Sequence, residues 1–450
     1  MNNLRLKSRL QGNSGDAAGN GRAGSILSGG ALLFASMTVV NAGNYLFNLI
    51  LGRWLGPEAF SDLSLIVTLM LMITFITATF QLTAARFAAI HTADNADAEL
   101  AGVRRWMGRL AWGLGGLLLL VLGVGAPYWQ QFFHTASAWP FVILSVGLPL
   151  YFVQGVDRGV LQGQTRFGRL ALSYQAEMWV RLAAGVAFVA LGWAVNGAVG
   201  ALTLSFVATW LVARAAGNSL PAAPTLSPEA RKTVALFAVP VIIAHVSQIL
   251  INNSDILIVK RFFAAEEAGF YAALALIGRI VFFATWSVVT VLFPIVAQKH
   301  KKGEPHRHLL YLSLGLVMAV SGAIFAATLV IPELIVSVLF GQAYMSVAPL
   351  LWRYALATAV YALANVVITY RLSIGNGTGS VIAVVGGAAQ VLLLWQFHAS
   401  LIQVVMVQVA LMSALLLVLL LWDGLLAWKE RLTGRQMPQS LDQEADMLPI

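Results

Sequence analysis

Two stripes of polar side chains run along otherwise apolar segments of this chain, and they are the residues best suited to binding a ligand. The first stripe has i, i+3, i+7 spacing and consists of Asn41, Asn44 and Asn48. The second has i, i+3, i+7, i+10 spacing and consists of His245, Gln248, Asn252 and Asp255. Each spacing places its side chains on one face of a helix. Two interpretations are open. The side chains either form hydrogen bonds between helices or line a hydrated cleft. We favour the cleft, because the two stripes lie at equivalent positions of an internal repeat.

Arginines inside apolar segments are the candidate charges of such a cleft. Each costs on the order of 2.5–3.5 kcal/mol at the centre of a bilayer, so it must face protein, water or a partner. Arg181 follows Glu177 by four residues, which predicts an ion pair along one helix. Arg279 has no acid three or four positions away, and we favour it as a cation for an anionic headgroup. Arg353 and Arg53 lie near outer segment ends, where each either binds the same ligand or anchors the chain at the interface.

Asp255 is the acid of the second stripe, and it has two interpretations. It either binds a coupling cation or pairs with Lys260 or Arg261 near the outer end of its helix. We favour the pair, because an acid beside two exposed cations is usually their partner.

The chain shows no sign of covalent catalysis. It has no cysteine, which excludes disulfides, iron–sulfur clusters and thiolate nucleophiles. The seven histidines are scattered, and His306 and His308 lie in a Lys-rich loop, where solvation is the simpler interpretation. The internal loops are short, and none carries a Walker A motif. We therefore expect neither an enzyme nor a bound cofactor or metal.

The elements that must position these residues are membrane-spanning helices. Hydrophobic residues make up 59% of the chain and charged residues 10%, with a mean hydropathy of +0.79, whereas soluble proteins have about 25% charged residues. A span needs about 20 apolar residues. Twelve segments qualify, at about 26–50, 62–82, 106–126, 138–157, 170–191, 194–213, 234–258, 271–297, 309–330, 347–370, 378–397 and 400–422. The sequence predicts an all-α polytopic membrane protein.

The cations alternate along the chain as the positive-inside rule requires. Most of the 28 Lys and Arg residues lie in the two tails and in every second loop, whereas the alternate loops hold Arg53, Lys260 and Arg261. Both termini are therefore predicted to be cytoplasmic, in a bacterial inner membrane. The same bias accounts for the net charge of +9, so nucleic acid is not an expected partner. Residues 1–25 are predicted to be a disordered cytoplasmic tail and residues 423–450 a second tail.

The chain contains an internal repeat. Residues 53–58, RWLGPE, follow the first span, and residues 261–266, RFFAAE, follow the seventh with the same order of cation, aromatic, apolar, small and acidic side chains. At that offset Asn44 falls on Asn252. Two six-helix lobes of equal orientation are typical of parallel transporter repeats around a central cleft. The predicted lobes are 26–215 and 234–422, joined by a cytoplasmic linker at 216–233.

Several stretches of the chain form a family pattern. They are LGRWLGPEAF at 51–60, GVLQGQTRFG at 159–168, DILIVK at 255–260, EEAGFY at 266–271, LFP at 292–294 and FGQAY at 340–344. Together they resemble the multidrug/oligosaccharidyl-lipid/polysaccharide (MOP) exporter superfamily, and within it the polysaccharide-biosynthesis flippases. The resemblance extends over about residues 26–422.

The resemblance implies a flippase that moves a lipid-linked oligosaccharide, on undecaprenyl pyrophosphate, to the periplasmic leaflet by alternating access, for exopolysaccharide or O-antigen synthesis. Arginine suits such a ligand because its planar fork pairs with phosphate oxygens. The candidate cleft residues are Arg279, Arg181, Arg353, Arg53, Asn44, Asn48, Asn252, Asp255 and Gln248. The lipid bilayer, H⁺ or Na⁺ as coupling ion and a polysaccharide polymerase or export complex are the other candidate partners.

Two alternatives to a flippase are open. A drug or cation antiporter of the same superfamily would need acids in the cleft. Apart from acids at the terminal positions of spans, only Asp255 and Glu177 stand against Arg181, Arg279 and Arg353. The second alternative is a non-transporting membrane component of a polysaccharide secretion complex.

Overall fold

The protein, in a computed structural model, is built from helices. The structure describes residues 3–216 and 226–433, and within these ranges it contains no β-strand. A π-helical turn at Leu120–Val124 follows the second helix, and a 3-10 turn at Gln342–Val347 precedes the eleventh. The α-helices are α1 Asn3–Ala93, α2 Asp97–Leu119, α3 Ala126–Phe133, α4 Trp139–Gly163, α5 Phe167–Ala190, α6 Ala194–Ala216, α7 Pro228–Phe262, α8 Ala265–Lys301, α9 Arg307–Val330, α10 Pro332–Leu339, α11 Ala348–Ser373, α12 Thr378–Gln396 and α13 Leu401–Thr433.

The long α1 is two helices joined at a kink. Gly56 has φ 74° and ψ 172°, a conformation open to glycine because it lacks a Cβ. Pro57 follows and has no N–H to donate to the helix before it. The kink therefore separates the first two predicted spans, 26–50 and 62–82.

The membrane prediction is confirmed. Within the described ranges, nine helical segments are long and apolar enough to cross a membrane. The first of these segments, Gly29–Ala93, contains both predicted spans of α1. Two predicted spans are not among the nine segments, and they lie in α5 and α8. Of these, α5 carries Glu177 and Arg181, which lower its hydropathy. The protein is an all-α, multi-pass membrane protein.

Helix ends differ from the predicted boundaries in three places. The helix α1 begins at Asn3, inside the segment whose composition predicts a disordered tail. The helix α7 begins at Pro228, earlier than predicted, because Pro is favoured at the first helical position and Ser227 Oγ accepts from Ala230 N at 3.2 Å. The helix α13 extends to Thr433, and the remainder of the predicted C-terminal tail lies outside the described residues.

The described chain divides into two compact units. The first contains the chain up to Leu51, Thr77–Trp129 and Ser137–Ala238. Within it, α4 packs against α2 and α6, and α6 packs against α5. The helix α4 is buried along most of its length, so its side chains are held by neighbours on several sides.

The second unit contains Gly52–Ile76, Gln130–Ala136 and the chain from Val239 onwards. Its central helix is α11, which packs against α8, α9 and α13. The hydrophobic core around α11 includes Tyr361, Val366 and Leu419.

The sequence did not predict that Gly52–Ile76 and Gln130–Ala136 belong to this second unit. A buried ion pair joins both segments to α7: Lys260 Nζ lies 2.6 Å from Asp62 Oδ1, and Ala136 N donates to Asp62 Oδ2 at 3.0 Å. Tyr344 also donates to the carbonyl of Gly52 at 2.7 Å. The lobe boundaries at 26–215 and 234–422 stay a prediction.

Candidate functional site

The first unit contains a buried cluster of two arginines around one glutamate, which we call the guanidinium cluster: Arg158, Glu177, Arg181 and Asn44. Glu177 Oε1 lies 2.5 Å from Arg181 Nη2, and Glu177 Oε2 lies 2.8 Å from Arg158 Nη2. Arg181 Nη1 donates to Asn44 Oδ1 at 2.9 Å. The predicted i,i+4 pair of Glu177 and Arg181 is confirmed, and Asn44 of the first stripe contacts it.

Arg158 is the member of this cluster that sequence reasoning missed. It directly follows the predicted span 138–157 and so would lie in a cytoplasmic loop, but α4 continues to Gly163 and buries Arg158 to 5% exposure. Its Nε and Nη2 donate to Ser173 Oγ and Ser173 O, each at 3.0 Å. Its guanidinium also lies 3.9 Å from the ring centre of Tyr174. Arg158 directly precedes the family stretch at 159–168, but that position did not indicate burial.

The guanidinium cluster has one net positive charge in a nearly dry setting. The side chains of Arg158, Glu177 and Arg181 are only 6%, 12% and 8% exposed. Arg181 Nε has no hydrogen-bond partner among the described residues. An unsatisfied buried donor costs about 1–3 kcal/mol, so the cluster has both a charge and a donor available for an anionic oxygen.

The other asparagines of the first stripe do not join the cluster. Asn48 Nδ2 donates to the carbonyl of Asn44, one turn earlier on its own helix, at 2.9 Å. Asn41 is exposed.

The second unit holds a buried carboxylate, Asp255, which is 1% exposed. The hydroxyls of Tyr271 and Tyr354 donate to its Oδ2 at 2.8 and 2.9 Å. Gln408 Oε1 lies 3.2 Å from the Tyr271 hydroxyl. Asp255 Oδ1 has no hydrogen-bond partner among the described residues. Four helices therefore meet at this carboxylate: α7, α8, α11 and α13.

The prediction that Asp255 pairs with Lys260 or Arg261 is wrong. Positions five and six residues later on an α-helix lie about 120–140° around the axis, so those side chains face other neighbours. Lys260 pairs with Asp62 at 2.6 Å, and Arg261 Nη1 lies 3.2 Å from His134 Nδ1.

Arg279 of α8 is half-buried and makes no ion pair within the described chain. Its Nη2 donates to the carbonyl of Asn252 at 3.2 Å and to Asn253 Oδ1 at 3.3 Å. Both of these hydrogen-bond acceptors are neutral groups.

The second stripe is largely engaged in hydrogen bonds with α11. Gln248 Nε2 donates to Asn365 Oδ1 at 3.2 Å, and Gln248 Oε1 accepts from Tyr361 at 3.0 Å. Asn252 Nδ2 donates to Gln248 Oε1 at 2.9 Å. For Gln248 these contacts favour helix–helix bonding over ligand binding, whereas the Asn252 side chain bonds within its own helix.

Arg353 and Arg53 contact backbone near their helix ends. Arg353 Nη1 donates to the carbonyl of Pro349 at 2.9 Å, and its guanidinium lies 4.5 Å from the ring centre of Trp352. Arg53 is exposed, and its Nη1 donates to the carbonyl of Val338 at 3.3 Å. In the described structure, neither shares a hydrogen bond with Arg279.

The chain matches the family model described as polysaccharide biosynthesis protein over residues 26–300. It is also 29% identical over 130 residues to uncharacterised proteins of Mycobacterium tuberculosis, a match that spans 29% of this chain and 30% of each relative's length.

Solved structures of similar fold come from the MOP superfamily. An inward-facing multidrug resistance MATE family transporter superposes with a TM-score of 0.76 at 14% identity, over 87% of this chain and 96% of that one. A MOP superfamily transporter from Pyrococcus furiosus gives a TM-score of 0.64 at 17% identity, over 89% and 95% of the two chains. At these identities the similarity establishes the fold.

Proposed function

Because this chain belongs to the polysaccharide biosynthesis protein family, we propose that it is a flippase for a lipid-linked oligosaccharide. The family and the fold are those of transporters. The proposed cargo is a glycan joined through a diphosphate to a polyprenyl lipid such as undecaprenol. The proposed direction is from the cytoplasmic to the periplasmic leaflet of a bacterial inner membrane, with both termini cytoplasmic and the polymerase of the same pathway as the recipient.

The observation that supports this proposal most directly is the sign of the buried charge. In the guanidinium cluster, Arg158 and Arg181 share the single carboxylate of Glu177, which leaves one positive charge uncompensated. An unpaired buried charge is costly, so the cluster favours an anionic ligand. A diphosphate ester provides two negative charges and several acceptor oxygens.

The chemistry of the cluster fits the main barrier to flipping such a lipid. Diphosphate and sugar hydroxyls lose water when they enter hydrocarbon, at a cost of several kcal/mol for each unpaired polar group. Guanidinium N–H groups replace that water, and their planar fork matches phosphate oxygens. We assign the first contact to Arg181, because in the described structure its Nε has no partner and its Nη1 bonds to the neutral amide of Asn44. The polyprenyl tail stays in the lipid throughout.

Arg279 is the proposed second cation for the same class of ligand, because its described partners are neutral. We propose that Arg353 and Arg53 are interface anchors, since each binds a backbone carbonyl near a helix end.

An antiporter of organic cations is the second candidate function, and Asp255 favours it. Its carboxylate is buried and its Oδ1 is unpartnered within the described chain, as a cation site would require. The relative of similar fold with a TM-score of 0.76 is a multidrug resistance transporter. The Pyrococcus furiosus relative is described as having a binding pocket of reversed polarity that suggests a different function. Pocket charge is therefore the property that separates the two candidates.

Depleting the protein in its native host tests the flippase directly. We expect a lipid-linked glycan to accumulate on the cytoplasmic face, detected by extracting the lipids and releasing the glycan by mild acid. Wild-type protein should clear the accumulation, Arg181→Met should not, and Arg353→Ala should serve as a matched control that does. The flippase assignment fails if no glycan accumulates and overexpression instead lowers the uptake of cationic dyes.

A further inference from the structure

We propose that Glu177 is an internal counter-ion that the anionic ligand displaces, and that the displaced carboxyl takes up one proton. Anion binding at the guanidinium cluster would then be coupled to proton uptake. The inference rests on the proposed function, because it takes the cluster as the diphosphate site.

The geometry places Glu177 where a ligand would lie. Each of its carboxylate oxygens contacts a different guanidinium, Oε1 at Arg181 and Oε2 at Arg158, at 2.5 and 2.8 Å. A bound diphosphate is expected to place its oxygens in the same way, with one oxygen on each guanidinium group. The carboxylate and the ligand therefore compete for the same donors.

The two arginines are not equally free to leave Glu177. Arg158 is held on its other side by Ser173 and by the ring of Tyr174. On its other side, the described part of the chain gives Arg181 the amide of Asn44 and no partner for Nε. The ligand is thus expected to draw Arg181 away first and then to replace Glu177 at Arg158, which keeps its contacts with Ser173 and Tyr174.

Among the described residues, two charged groups face Glu177. They are Arg158 from α4 and Arg181 from its own helix α5, with the phenol of Tyr174 stacked on Arg158. On the neighbouring position of α4, Asp157 is already paired with Arg104 of α2 at 2.8 Å, and Arg214 of α6 lies over the ring of Trp210. The contact from α1 is the neutral amide of Asn44.

Displacement leaves Glu177 without its close counter-ions in a site that is only 12% exposed. A buried, unpaired carboxylate is costly, and a carboxyl in that position becomes neutral instead. A buffer acid or hydronium ion in the aqueous phase gives up the proton that forms the O–H bond of the carboxyl, and its conjugate base stays in solution. The site therefore gains the anion and one proton together. Release of the anion reverses both steps, because Arg181 then returns to Glu177.

Isothermal titration of the full-length protein in lipid nanodiscs tests the coupling, with farnesyl diphosphate as the probe. Titrations in two buffers of different ionisation enthalpy count the protons taken up per diphosphate bound. Wild type should take up as much as one proton more than Glu177→Gln, and its Kd should weaken by up to about tenfold per unit rise in pH. Protonation of the probe itself is common to both proteins and cancels in the difference.

Two variants keep the result interpretable. Glu177→Gln lacks the competing carboxylate, so it should bind the probe at least tenfold more tightly than wild type at pH 8. Glu177→Asp keeps a titratable group and should retain the proton uptake, even if the glutamine variant is poorly folded. Equal proton counts and equal affinities in all three proteins would overturn the coupling while leaving the diphosphate site intact. If none of the three binds the probe, the diphosphate site is refuted together with the coupling.

Discussion

Replacing Lys260 with methionine is expected to destabilise the protein by about 3–5 kcal/mol, the usual cost of removing one partner from a buried ion pair. Lys260 Nζ lies 2.6 Å from Asp62 Oδ1, and the two side chains are 2% and 7% exposed. Methionine fills a similar volume, so the lost charge accounts for most of the change. For a compact unit of this size, that free energy corresponds to a fall in Tm of roughly 6–20 °C.

The reason for this magnitude is the carboxylate that remains. Asp62 would keep the hydrogen bond from Ala136 N at 3.0 Å, but it would lose its only described counter-ion. Because a neutral asparagine needs no counter-ion, the double variant Asp62→Asn/Lys260→Met should recover most of the lost stability. The two substitutions should therefore show a coupling of on the order of 2–3 kcal/mol.

The assay is thermal unfolding of detergent-purified protein, followed by tryptophan fluorescence and by the monodisperse fraction. Lys299→Met is the matched control. Its ion pair with Glu304 spans 3.2 Å with side chains 33% and 46% exposed, so it should change the free energy of unfolding by less than about 1 kcal/mol. Similar small effects of Lys260→Met and Lys299→Met would refute the buried pair and restore Lys260 as a candidate partner of Asp255.

Three further outcomes are expected. Reporter fusions at Gly303 should read cytoplasmic and fusions at Ala265 periplasmic, as the loop cations require; a reversed pair would contradict the twelve-span topology. Arg279→Ala should abolish polysaccharide export at normal protein abundance, and Arg279→Lys should retain part of it because the charge remains; wild-type export by the alanine variant would remove Arg279 from ligand binding. Asp255→Asn should lower stability by about 1–3 kcal/mol and preserve most export, because an amide oxygen still accepts from Tyr354; loss of export in a folded variant would assign Asp255 to a coupling cation.

Contacts within one helix were predictable from spacing alone. The pair of Glu177 and Arg181 follows from an i,i+4 separation, and the structure contains it. Asn48 also contacts a residue one turn away on its own helix. Such contacts depend only on helical periodicity, which every span shares.

Contacts between helices were not predictable in the same way. Asp255 is followed closely by two cations, yet its partners are tyrosines on α8 and α11, at sequence separations of 16 and 99 residues. Arg158 was assigned to a loop because a charge near a span end usually reaches water, but Glu177 and Ser173 of α5 hold it inside. The residues adjacent in sequence do not indicate which neighbouring helix supplies the partner.

The sequence by itself determined that this is a membrane protein, because partition into a bilayer depends on the length and composition of the apolar segments. It also determined the family, because the family motifs are short stretches of consecutive residues. It also predicted that charged residues, arginines among them, lie inside the spans. Only the tertiary structure decided which of those charges remain uncompensated. Ion pairing depends on distances of a few ångströms between residues far apart in sequence, and helix packing alone sets those distances. Packing places Asp62 beside Lys260. It also leaves Arg158 and Arg181 to share one carboxylate.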